Sequence, residues 1–292
     1  MSKTETAAAA GRKGTAEEAW ETIKTVVLAL LIALVIRTIL FQPYTIPSAS
    51  EEPNLYEGDY IVVSKWSYGY SRDSILGSPP LPTGRILFHA PKRGDIVVFK
   101  LPRPECHDVL MFHDVCSHPD YIKRLVGLPG DTIQVRHRRL YINGKPLGVA
   151  PAEAVTLSDR GGPEPGAWVR ETNPEGRTYK TQYHEEESPA DNTGVYVVPQ
   201  HCYFMMGDNR ENSLDSRFDP GLMAGDSNLE GCAWDSSLDA NVGAEAGVGF
   251  VPETNLEGRA RMVMLSWHKG ASVWKPWTWL NLRLDRFLRP IH

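Results

Sequence analysis

Residues 56–72 read YEGDYIVVSKWSYGYSR, and the run at 60–64, YIVVS, decides the fold class. One isoleucine and two valines in a row favour an extended strand, because branching at Cβ crowds a helical turn and suits a pleated surface. Similar runs lie further along the chain, at 95–100 (DIVVFK), 132–135 (TIQV), 140–142 (LYI), 195–198 (VYVV) and 260–265 (ARMVML). Asn143-Gly144 directly follows LYI and predicts a two-residue hairpin turn, since both residues tolerate positive φ. Short runs punctuated by Gly and Pro, without helical periodicity, predict a mostly β protein built on an antiparallel β-sheet body.

Towards the N-terminus this pattern gives way to IKTVVLALLIALVIRTIL at 23–40, charged only at Lys24 and Arg37 near its ends. As a helix, 18 residues reach about 27 Å, enough for a thin hydrocarbon core, with both cations snorkelling to the interfaces. Lys3, Arg12, Lys13 and Lys24 precede or open the span, whereas Lys65 is the first lysine after it. The positive-inside rule then places the tail in the cytoplasm and the body outside. A cleaved signal peptide is the competing reading, with Ser48 and Ser50 as small residues two apart. Over twenty residues, several of them glutamates, precede the apolar run, which argues against it. The expected organisation is a cytoplasmic tail (1–22), a transmembrane anchor (23–41), a β-rich catalytic domain (42–272) and a distinct tail (273–292).

Insertions are expected near 73–90, 101–119, 148–192 and 219–248. They are rich in polar, Gly or Pro residues, and surface loops contribute little core. In the last tail, Trp277, Leu280, Leu284, Phe287 and Leu288 fall at helical spacing opposite Arg283, Arg286 and Arg289. With Trp274 and Trp279 they predict an amphipathic helix, lying on anionic headgroups or packed on the β body. The four cysteines, Cys106, Cys116, Cys202 and Cys232, match no usual zinc spacing. Cys106–Cys116 and Cys202–Cys232 are candidate bridges, but three connectivities stay open. His107 and His113 between the first two invite a metal reading, which a solvated insertion explains equally well. A net charge of −5 leaves no nucleic-acid footprint.

Three further segments carry candidate chemistry: IPSAS (46–50), DYIKRLVGLPGD (120–131) and GDNRENSLDSR (207–217). Singly each is weak, since serine pairs occur in many loops and most lysines are solvated. In this order, with 56–72 and RGDIVVFK (93–100), they resemble the bacterial type I signal peptidases, or leader peptidases. The resemblance runs from the hydrophobic span to about Trp267, leaving out the insertions. It implies Ser50 as nucleophile, Lys123 as general base, Ser48 as hydroxyl donor of the oxyanion hole and Ser213 as the hydroxyl orienting the lysine. Asp215 and Arg217, with Asp208 in the same box, would brace the site from behind. Ile46, Leu55, Tyr121 and Ile122 would line pockets for small side chains. The implied activity is removal of N-terminal signal peptides from exported precursors at the bacterial inner membrane, with the catalytic domain on the periplasmic side. Precursors and membrane lipids are the expected partners; no cofactor, metal, nucleic acid or obligatory protein partner is implied.

The chemistry is physically coherent. A lysine serves as base only when neutral, and lowering its pKa to about 7.5 needs roughly 4 kcal/mol, an effect of the order that burial supplies. Glu51 breaks the family pattern, which has methionine after the nucleophile. An ionised carboxylate about 7 Å from Lys123 would attract the ammonium by ~2.4 kcal/mol at a dielectric near 20. The expectation is therefore reduced activity with the fold intact, or a Glu51 side chain displaced towards water. Two other readings compete: a catalytically impaired, membrane-anchored signal-peptide-binding protein, and a self-cleaving regulator. The second would need a DNA-binding element where the span stands.

Overall fold

The computed structural model describes residues 15–71, 84–109, 113–159, 162–221, 231–234, 237, 247–268, 271 and 276–291, with the backbone alone at 15–16, 106–109 and 113–116. The expected cytoplasmic charges at Lys3, Arg12 and Lys13, most of the 73–90 and 219–248 insertions, Trp274, and the side chains of Cys106, His107, His113 and Cys116 lie outside the described residues.

Helix α1 (Thr15–Val35) continues through a wider turn at Ile36–Leu40. Residues Glu17–Leu40 are long and apolar enough to cross a membrane, and none of that span is buried against protein. The chain then passes directly into strands. In chain order these are β1 (Phe41–Thr45), β2 (Asp59–Ser64), β3 (Ile96–Lys100), β4 (Glu105–Val109), β5 (His113–Ser117), β6 (Asp120–Gly127), β7 (Thr132–Arg136), β8 (Arg139–Ile142) and β9 (Lys145–Pro146). There follow β10 (Gly148–Val149), β11 (Glu153–Leu157), β12 (Glu164–Thr172), β13 (Thr178–His184), β14 (Tyr196–Val197), β15 (Cys202–Met206), β16 (Val251–Pro252), β17 (Leu256–Ser266) and β18 (Arg289–Pro290).

The main sheet has the order β1-β2-β17-β3-β6-β15-β16, with β18 added on β17, and its pairings are antiparallel. Ile61 and Val63 of the opening motif point into one core with Ile96, Val98, Ala260 and Val263. Val97, Phe99 and Leu125 enter another, on the opposite side of the pleat. The long strand β17 slips register twice against β2, between Ala260 and Met262 and between Val263 and Leu265, and once against β3, between Leu256 and Gly258, where bulges bend a sheet. The hairpin β8–β9 turns at Asn143 and Gly144, both with positive φ as the dipeptide predicts.

Three features differ from the sequence reading. Residues 148–192 are not a loose insertion: β10 to β13 form a sheet of their own, and Thr181, Gln182 and His184 are buried. The amphipathic helix expected over 273–292 is not formed by the described residues 276–291. The tail makes short turns at Pro276–Thr278 and Leu284–Arg286, then adds β18 to β17 at Met262 and Val263. The helical spacing of its apolar residues loses to a buried ion pair, in which Arg286 turns inward to Asp59 at 2.5 Å and donates to the Asn54 carbonyl. Within 101–119, β4 and β5 pair antiparallel, with Cys106 and Cys116 directly opposed in register. Cys202 and Cys232 are joined by a disulfide.

Arg286→Met strands the Asp59 carboxylate, which is wholly buried. A loss of about 3–5 kcal/mol in denaturant unfolding is expected. A change under 1 kcal/mol would mean that the pair does not anchor the tail.

Candidate active site

Ser50 sits at the start of a tight turn where Asn54 N–H and Leu55 N–H both donate to the Glu51 carbonyl. Lys123 lies on β6, whose register with β3 pairs Lys123 with Val97 and Arg124 with Ile96. On its other side β15 covers β6 only from Arg124 to Gly127, so the edge from Asp120 to Lys123 stays open. That open edge, with Pro47, Ser48, Ser50, Ser213, Leu214 and Phe218, lines a cleft of about 600 Å³.

At its floor, Lys123 Nζ is hydrogen-bonded to Ser50 Oγ, across 73 residues of chain. Both side chains are buried. Burial pushes the Lys123 amine below the ordinary lysine value; Glu51, Asp215 and Asp208 pull the other way and Arg217 assists. Ser48 Oγ is 3.4 Å from Ser50 Oγ. Ser213 is buried against Gly207, where a Cβ would fall 2.2 Å from the Ser213 hydroxyl oxygen and 2.6 Å from the Ser50 carbonyl oxygen. Any side chain at 207 would displace both serines, so only glycine fits.

Behind this floor lie two bidentate ion pairs. Asp208 meets Arg124 at 2.7 Å through both oxygens, and Asp215 meets Arg217 at 2.8 and 2.9 Å while accepting from the Gly207 N–H. Each guanidinium balances its carboxylate; burial alone would raise the Asp215 carboxyl, but the Arg217 charge together with hydrogen bonds from Arg217 and the Gly207 N–H holds it below its usual range. Tyr121 and Ile122 line the cleft. Ile46 and Leu55 do not reach it; they are buried in the core beneath, against which Ile122 packs.

Glu51 is not displaced towards water. Its turn directs the side chain inward, where it is fully buried and neither carboxylate oxygen has a hydrogen-bond partner among the described residues. Burial first, then Asp208, push its carboxyl well above the usual range, against the lowering by Lys123 and Arg124. The raised carboxyl weakens the attraction expected of a fully ionised one, although Glu51 is still the foremost charge that raises the Lys123 amine.

Several residues of the site carried no sequence signal of their own. Arg124 follows Lys123 and, by strand alternation, faces the opposite side, where it pairs with Asp208. Half-buried Asn54 donates to Asp208 at 2.6 Å, and Arg210 pairs with Glu171 at 2.7 Å with both side chains buried. Glu171 belongs to β12, within the stretch expected to be a surface insertion.

The family described as "Signal peptidase, peptidase S26" matches residues 19–267. Signal peptidase I of Rickettsia massiliae (strain Mtu5) is 33% identical over 300 residues, covering 95% of this chain and 94% of that protein. That of Rickettsia typhi (strain ATCC VR-144 / Wilmington) is 33% identical over 287 residues, covering 90% of each. Among solved structures, a signal peptidase I from Enterococcus faecalis V583 is 22% identical, covers 59% of this chain and 97% of its own, and has a TM-score of 0.26.

Proposed function

The chain belongs to the signal peptidase family, peptidase S26, and from that membership we propose a Ser–Lys endopeptidase in which Ser50 is the nucleophile and Lys123 the general base. Its activity is that of a serine endopeptidase that removes signal peptides, and its apolar N-terminal helix makes it a single-pass membrane protein. The observation that carries the dyad is the buried Lys123 amine hydrogen-bonded to Ser50 Oγ at the floor of the cleft.

In this reading the neutral amine takes the Ser50 proton as Oγ attacks the scissile carbonyl. The Ser50 N–H and the Ser48 hydroxyl hold the developing oxyanion, and Lys123 returns the proton to the leaving amine. Water then releases the acyl group from Ser50. The open edge of β6 from Asp120 to Lys123 offers unpaired backbone groups to an extended substrate segment. Ser50 follows Leu40 by ten residues, which keeps the cleft near the lipid surface where a membrane-tethered leader is presented. The domain boundaries 42–272, the bacterial inner membrane and a periplasmic catalytic face complete the proposal.

The test is a detergent-solubilised sample incubated with a precursor bearing a leader that ends in small residues. One new N-terminus at the leader boundary is expected, and a bulky residue placed just before the cut should abolish it. Binding without cleavage would favour the second reading, an impaired signal-peptide-binding homologue, which draws on Glu51: ionised, that side chain would hold Lys123 as an ammonium.

A further inference from the structure

His184 ends β13 with an oxygen acceptor facing each ring nitrogen. Nε2 lies 3.2 Å from Asp159 Oδ2 and 3.1 Å from Asn209 Oδ1, while Nδ1 lies 2.9 Å from Glu164 Oε1. The Nδ1–Glu164 approach lacks hydrogen-bond geometry, so the ring acts on Asp159 and Asn209 through the Nε2 edge. The ring is buried and the Asp159 side chain is fully covered. Burial alone would raise the Asp159 carboxyl, but hydrogen bonds from His184, Asn209 and Asn212 outweigh it and hold the group well below the usual carboxylate range.

Asn209 links this cluster to the nucleophile. Its amide nitrogen donates to Asp159 Oδ2 at 2.5 Å and to the Ala49 carbonyl at 3.1 Å, and its backbone N–H donates to the Ser50 carbonyl at 3.1 Å. Both amide N–H groups of Asn209 are thus used while Oδ1 accepts from His184, so the orientation of the amide is fixed by which neighbour donates. Asn212 adds a second tie to Asp159 at 3.0 Å. The backbone of β13 also runs beside the same loop, with the Gln182 N–H donating to the Asp208 carbonyl and the Arg210 N–H to the Gln182 carbonyl. Two more charged groups face His184 through its backbone: Glu211 accepts from its N–H at 3.0 Å, and Arg138 donates to its carbonyl at 3.0 Å.

We propose that His184, set between Asp159 and Glu164, is a positioning residue for the nucleophile, orienting Asn209 so that it holds the Ala49 and Ser50 carbonyls in register with the base. The sheet β10–β13 then belongs to the catalytic apparatus, and His184 reaches the reacting atoms through the 207–217 loop. This rests on the reading of Ser50 as nucleophile, and the test keeps the two apart.

The experiment is steady-state cleavage by His184→Ala, Asn209→Ala and the double variant, with Ser50→Ala alongside. For His184→Ala a fall in kcat of about 10–100-fold is expected with KM little moved, since small misplacements of a reacting group have effects of that size. The double variant should be no slower than Asn209→Ala, because His184 acts through that side chain. Partial recovery of kcat in His184→Gln, which keeps one N–H donor, is also expected. Additive losses, a rise in KM alone, or loss of activity with a chelator and its return with zinc would overturn the proposal. Residual cleavage by Ser50→Ala would instead overturn the nucleophile assignment. Should His184→Ala not fold, Asp159→Asn preserves the shape of the cluster and must show the same loss in kcat.

Discussion

Lys123→Met is expected to reduce cleavage by about 10⁴-fold or more while giving a protein that is folded and, near neutral pH, more stable than the parent. The loss in rate follows from removing the group to which the Ser50 proton passes; Ser213 and Ser48 are hydroxyls and cannot replace it near pH 7. The gain in stability follows from the same burial that makes the amine a base. The folded amine lies below its ordinary value of 10.5, whereas the unfolded chain's lysine keeps its proton up to that pH. A depressed lysine value means that the unfolded state binds more protons, so the stability associated with Lys123 is complete only above 10.5. It is lost as pH falls towards the folded value. Methionine fills a similar volume without that penalty. Cleavage near parental rates would end the base assignment, and a marked fall in stability at pH 7 would mean that Lys123 is held as an ammonium by its neighbours.

What the sequence displays of this architecture depends on which force shapes each part. Runs such as YIVVS at 60–64 and DIVVFK at 95–100 declare themselves because apolar β-branched side chains serve both strand geometry and the core. Ser50 and Lys123 are visible because their flanking boxes are long and ordered. β13 is invisible to that logic: Thr178–His184 reads TYKTQYH, and its buried Thr181, Gln182 and His184 are covered by hydrogen-bonding partners rather than by apolar neighbours. Hydrophobic periodicity has no sensitivity to a buried polar network. The C-terminal tail fails for a related reason. Its apolar residues are spaced for a helix and largely exposed, whereas its path is set by Arg286, which must reach an aspartate 227 residues away. Ile46 and Leu55 were legible as apolar positions near the nucleophile, but only the packing shows them beneath the cleft, against Ile61 and Val63.

Glu51 supplies the counterpart to Lys123, and the two together give a pH signature that neither gives alone. Its carboxyl is buried without a hydrogen-bond partner, and no ion pair within 4.0 Å joins it to Lys123 among the described residues, so the charged form lacks the contact that would offset its burial. Burial and Asp208 raise the folded value well above the ordinary 4.5. The sign is opposite to that of lysine. The folded state now binds the extra proton, so the stability associated with Glu51 is fully present below 4.5 and is lost as pH rises through the folded value. Glu51→Gln keeps the shape and removes that falling contribution. The stability of Glu51→Gln minus that of the parent should therefore rise with pH above 4.5, by about 1.4 kcal/mol per unit. The difference curve for Lys123→Met should slope the other way by a similar amount, up to 10.5. Removing either group also takes away the coulombic opposition each exerts on the other's shift, which widens both windows in the single variants. Denaturant unfolding of the parent and the two variants between pH 4.5 and 10 measures both slopes. A buried ammonium–carboxylate pair would give flat difference curves and a large loss of stability in each single variant, and that result would exclude a neutral base at rest.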